Sequence, residues 1–86
     1  MNAQQQVMKY AESKANGMDI QKFVVEMQGG IVINRTSNSK TVAQLSRVGR
    51  ELVITETTTK DTQEIVDGKL VFGKAQTSVE ALRVSL

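Results

Sequence analysis

The chain has 86 residues, of which 40% are hydrophobic, and 11 basic against 9 acidic side chains give a formal charge of +2. That length fits one domain over residues 1–86, whose fold buries only about 60% of the surface its unfolded chain exposes. Cysteine and histidine are absent, which excludes disulfides, thiolate nucleophiles, zinc–thiolate sites and histidine-based acid–base catalysis.

Residues 1–28 read as mainly helical. Ala3, Val7, Tyr10, Ala11 and Lys14 make a narrow stripe at helical spacing over residues 2–15. Asn2 is placed to cap its start, and Asn16-Gly17 to end it in a left-handed turn. Ile20, Phe23, Val24 and Met27 then form a second helical face, with Asp19 as its cap. A strand over the same residues, turning at Gly29-Gly30, would set Gln28 against Ile31 and Glu26 against Ile33. Such pairs mix polar with apolar, so the helix is favoured.

Residues 31–73 read as mainly antiparallel strands. Residues 31–36 are rich in β-branched side chains. Residues 40–48 fit a helix through Val42, Leu45 and Val48, but turn clusters on both sides favour a strand. Residues 50–58 alternate as a strand and run into the threonine series Thr57-Thr58-Thr59. The clearest local signal is Asp67-Gly68 between Ile65-Val66 and Leu70-Val71-Phe72, a type I′ hairpin sequence that Gly73 then ends. Residues 77–86 fit a short helix capped by Thr77 and Glu80, and equally an edge strand with Leu82, Val84 and Leu86 alternating. The order of elements predicts an α+β fold: an N-terminal helix or helical hairpin packed on a small antiparallel β-sheet.

Charge is segregated. Residues 28–50 carry Arg35, Lys40, Arg47 and Arg50 with no acid, whereas residues 51–67 carry Glu51, Glu56, Asp61, Glu64 and Asp67 against Lys60. Neighbouring strands that neutralise one another account for this more economically than a dedicated basic face. If the basic face is functional, Arg35, Lys40, Gln44, Arg47 and Arg50 are its candidates, with Lys40, Gln44 and Arg47 on one side of a recognition helix. Four cations and no aromatic between residues 35 and 50 are a small supply for phosphate neutralisation and base stacking.

No phosphate-binding glycine loop is present. The Ser13-Lys14 and Ser39-Lys40 pairs are adjacent in sequence, and neighbours point apart on a helix or strand. Glu56, Asp61, Glu64 and Asp67 read as a solvated acidic surface. The expectation is therefore a non-catalytic protein-interaction module acting as an accessory, adaptor or stoichiometric inhibitor. No catalytic residue, cofactor or metal is expected. Its thin aliphatic core, with only Tyr10, Phe23 and Phe72 aromatic, points to a homo-oligomer, and the Thr-rich residues 55–59 to an unpaired edge for a partner strand. The alternative is nucleic-acid binding through residues 35–50. No apolar run is long enough to span a membrane. The Asn2 and Gln4–Gln6 start lacks a basic-then-apolar leader, so a cytoplasmic location is expected.

Overall fold

A computed structural model describes residues 2–86, so residue 1 of the expected domain lies outside the described residues. Two helices, α1 (Ala3–Lys14) and α2 (Ile20–Met27), precede six strands. These are β1 (Ile31–Arg35), β2 (Ser39–Val48), β3 (Glu51–Lys60), β4 (Gln63–Val66), β5 (Lys69–Phe72) and β6 (Gln76–Ser85). All strand pairs are antiparallel, in a four-stranded sheet of order β1-β2-β3-β6 and a separate hairpin β4-β5. The α+β expectation holds, and the helices pack on one face of the larger sheet.

Local chemistry explains both helices. The Asn2 side chain accepts from the Gln5 N–H at 2.8 Å, and the Gln5 side chain accepts from the Asn2 N–H at 3.0 Å, which closes a reciprocal cap. Ala3, Val7 and Ala11 then bury one stripe, whose small side chains let α1 lie close to its neighbours. Asn16 takes a left-handed φ of 48° and turns the chain into α2. There the Asp19 carboxylate accepts from the Lys22 N–H, and Phe23 and Met27 bury the face that the sequence spacing marked.

The core is continuous across the layers. Val7, Ala11, Ala15, Phe23, Met27, Ala43 and Ile54 form one buried cluster, flanked by half-buried Tyr10, Met18, Ile20, Val24, Ile31, Ile33, Leu45 and Leu52. Register puts Leu45 opposite Ile54 and Ala43 opposite Glu56, so the even-numbered residues of β3 face the helices. The odd-numbered ones, Glu51, Val53, Thr55, Thr57 and Thr59, face away. Where the helices end, Thr41 and Thr58 continue the helix-side face and their hydroxyls meet at 2.9 Å.

Three readings resolve or change. Residues 40–48 form a strand, not a helix, and residues 77–86 fall within strand β6 and its end. Thr55–Thr59 are not an edge: β3 is hydrogen-bonded to β2 on one side and β6 on the other. The edges of the sheet are β1 and β6.

The chain is elongated, 55 × 29 × 20 Å with a radius of gyration of 16.2 Å, against about 12 Å for a compact chain of this length. The β4–β5 hairpin, inserted between β3 and β6, accounts for the excess. Every one of its strand residues is exposed. Asp67 and Gly68 take φ of 52° and 76°, as a type I′ turn requires. At its base the Gly73 N–H donates to the Thr62 carbonyl at 2.8 Å, and the Thr62 hydroxyl donates to the Lys74 carbonyl at 2.9 Å.

Candidate interaction surfaces

The sequence-derived basic residues do not converge on one patch. Arg35 and Lys40 sit opposite each other at one end of the β1–β2 pair. Arg47 and Arg50 lie at the other end of β2, by the turn into β3, where Arg47 Nε donates to the Gly49 carbonyl at 3.2 Å. Lys40 and Arg47 are seven strand residues apart, about 23 Å at a typical rise. Lys40 and Gln44 lie on the face away from the helices and Arg47 on the other, because strand residues alternate. Gln44 Nε2 reaches the Gln28 carbonyl at 3.5 Å, a long contact. The single-faced recognition helix does not exist, since these residues are in a strand.

The expected neutralisation of the basic residues 28–50 by the acids of residues 51–67 is not realised, although one cross-strand pair joins the neighbouring strands β3 and β6. Among the described residues the ion pairs are Lys14–Glu56 at 4.0 Å and Arg83–Glu51 at 3.5 Å. The acids of β3 therefore bind outward, Glu56 to helix α1 and Glu51 to β6. None of the four cations from residues 35–50 is in an ion pair among the described residues.

Glu56 anchors the one polar cluster beneath the helices. The Tyr10 hydroxyl donates to Glu56 Oε1 at 3.1 Å, and Lys14 Nζ approaches the same oxygen. Burial raises the Tyr10 phenol above its ordinary range, and the hydrogen bond to Glu56 and the charge of Glu56 push it further the same way. A neutral phenol that resists ionisation is a donor, not a base. The recess beside it, about 120 Å³, is lined by Tyr10, Ile54, Glu56, Glu80, Ala81 and Leu82. Among the described residues no group of His, Cys, Asp or Glu is arranged to hold a metal ion. A broad surface depression of about 720 Å³ follows Gln4, Gln5, Met8, Lys9 and Glu12 of α1 alone and has no opposing wall.

The apolar surface is the more distinctive feature. Among the described residues eleven large hydrophobic side chains are exposed, whereas only Val7, Phe23, Met27, Val53, Ile54 and Val84 are large and buried. Five of the eleven are on the projecting hairpin. Register pairs Ile65 with Leu70 and Gln63 with Phe72, so Ile65, Leu70 and Phe72 share one face. They are 78%, 58% and 66% exposed. The sequence marks this hairpin clearly; what it does not mark is that nothing covers it, because that depends on where residues 61–62 and 73–75 steer the hairpin.

Comparison with known proteins finds no matching family model, no similar curated protein and no similar solved structure. No described helix is long and apolar enough to cross a membrane.

Proposed function

We propose that this chain is a non-catalytic protein-interaction module whose contact element is the β4–β5 arm. The observation that carries the reading is the apolar face of Ile65, Leu70 and Phe72, held away from the core on a preformed hairpin. Moving such a side chain from water into an interface is worth roughly 1.5–3 kcal/mol. Three of them on one face of a two-stranded element supply a central anchor of the kind that dominates protein interfaces. A hairpin also loses little backbone freedom on docking, which lowers the cost of association.

The absence of histidine and cysteine, and a part-buried phenol held neutral beside Glu56, support a non-catalytic role. The division of Arg35 and Lys40 from Arg47 and Arg50 weighs against nucleic-acid recognition, which needs cations tracking one backbone.

Affinity capture from the native host, read by mass spectrometry, tests the reading. The bait is the full chain, compared with a variant carrying Ile65→Ser, Leu70→Ser and Phe72→Ser. A stoichiometric protein partner held by the wild-type chain and lost from the variant, with the unfolding midpoint unchanged, is the expected result. Equal retention by both baits refutes the assignment to the arm. Retention of nucleic acid in place of protein refutes the class.

A further inference from the structure

The two edges of the main sheet are finished differently. β1 is five residues long, breaks register between Val32 and Asn34, and ends at Arg35. A short, bulged, charged strand is a defended edge. β6 has ten residues, keeps unbroken register with β3 through all ten pairs, and has no bulge or proline. Its only charges are Glu80 and Arg83, and Arg83 is already paired with Glu51.

Hydrogen-bond phase shows which groups β6 leaves open. The Leu86 N–H donates to the Arg50 carbonyl, in line with the β3–β6 register. On the other side of β3 the Asp61 N–H donates to the Asn38 carbonyl. Even-numbered residues of β6 therefore bond to β3, and the N–H and C=O of Thr77, Val79, Ala81, Arg83 and Ser85 point away from the sheet.

We propose that the occupant of this edge is a second copy of the chain, its β6 antiparallel to the first about a two-fold axis through Ala81. The proposal rests on the reading of the chain as a contact protein but uses an edge distinct from the arm. The β6 edge is complementary to itself. With Ala81 on the axis, Ala81 pairs with Ala81, Val79 with Arg83 and Thr77 with Ser85. All five outward residues of each copy then give and take one bond. Centring on Glu80 sets two carboxylates face to face and strands Ser85; centring on Arg83 opposes two guanidinium groups; centring on Leu82 strands Thr77. Only the Ala81 register uses every open group without facing like charges.

The helix side adds charge complementarity. In this register Leu82, 45% exposed, lies opposite the second copy's Glu80. Leu82 lines a groove with Gln6, Lys9, Tyr10 and Ser13, so that carboxylate arrives beside the Lys9 ammonium. The axis is normal to the sheet, which places both helical layers on the same side of one sheet ordered β1-β2-β3-β6-β6-β3-β2-β1.

Sedimentation velocity of the full chain across the micromolar range tests this. The expected species is twice the 9.4 kDa chain mass. Ala81→Pro removes an outward N–H that β3 does not use, so it is expected to give a folded monomer by circular dichroism. Lys9→Glu is expected to weaken self-association about tenfold, and adding Glu80→Lys in the same chain to restore it. A wild-type chain that stays monomeric throughout, or a Lys9→Glu chain that dimerises like wild type, overturns the proposal, whether or not the proline variant folds. The Ile65→Ser, Leu70→Ser, Phe72→Ser variant is expected to stay dimeric, and the Lys9→Glu chain to keep its captured partner, so failure of one reading is read separately from failure of the other.

Discussion

Tyr10 is the only tyrosine in the chain, so its ionisation can be followed alone by near-ultraviolet absorbance. In the folded protein its hydroxyl donates to Glu56 and is partly buried beneath α1, which holds the proton above the ordinary phenol value of 10.0. The unfolded chain releases that proton near pH 10. Above that pH the folded state binds more protons than the unfolded one, so stability falls as pH rises. The stabilisation is complete below pH 10 and is lost as pH climbs through the folded value. One proton sets the limiting slope at about 1.4 kcal/mol per pH unit. Tyr10→Phe removes that slope and also the hydrogen bond. A bond to a carboxylate is worth about 1.5–3 kcal/mol when well buried; with water and Lys14 able to reach Glu56, about 1 kcal/mol is expected below pH 9. Urea unfolding of both chains from pH 8 to pH 12 should show the two stabilities converging as pH rises. A folded phenol that titrates near 10, or a stability difference constant across that range, refutes the assignment of Tyr10 as a buried donor.

Three further outcomes follow from the packing. Phe23 is 2% exposed and touches both layers of the core; Phe23→Ala should cost about 3–5 kcal/mol, a large share of the roughly 4–13 kcal/mol expected for a chain of this length, as read by the urea midpoint. Asn2→Ala opens the reciprocal cap with Gln5 and should cost about 0.5–1 kcal/mol, seen as earlier fraying of α1 amides in hydrogen exchange. A Cβ added at Gly73 runs into the Thr62 hydroxyl, the group that donates to Lys74. Gly73→Ala should therefore lower amide protection over residues 63–72 without changing it in β2 or β3, and combining it with Thr62→Ala should recover much of the loss.

What could be read from the sequence is what local chemistry decides. Asn2, Asp19 and the Ala3–Val7–Ala11 and Phe23–Met27 spacings define both helices within a residue or two, and Asp67-Gly68 fixes the β4–β5 turn because few residue pairs accept positive φ twice in succession. Residues 77–86 could not be decided. Val79, Leu82 and Leu86 fit a helix as well as Leu82, Val84 and Leu86 fit a strand, and only pairing with β3, more than twenty residues away at its far end, selects the strand. Edge status is illegible in the sequence for the same reason. The threonines of residues 55–59 look like an open edge, but a strand's place in a sheet depends on non-local partners. The site residues suffer from this most: Lys40, Gln44 and Arg47 share a face only if they are helical, and one change of period from 3.6 to 2 separates them.

The acids of β3 do not neutralise the basic residues of β1 and β2 but serve α1 and β6. Glu51 and Glu56 differ in parity, so β3 presents one carboxylate to each face of the sheet. Glu56 ties down α1 through Tyr10 and Lys14, and Glu51 holds Arg83 of β6. The central strand thereby fastens the two elements that flank the groove along β6. If β6 is the place where two chains meet, these pairs act as struts for the interface without being in it. Glu51→Gln should then weaken self-association modestly, by leaving Arg83 unpaired at the edge, while sparing the fold, whereas charge reversal at Arg50, one residue earlier in the turn, should leave association unchanged. Sedimentation of both variants at one concentration series decides it: a Glu51→Gln chain that assembles like wild type, or opposite effects from the two variants, which move the net charge of +2 in opposite directions, would mean that the placement of Glu51 under β6 does not govern assembly.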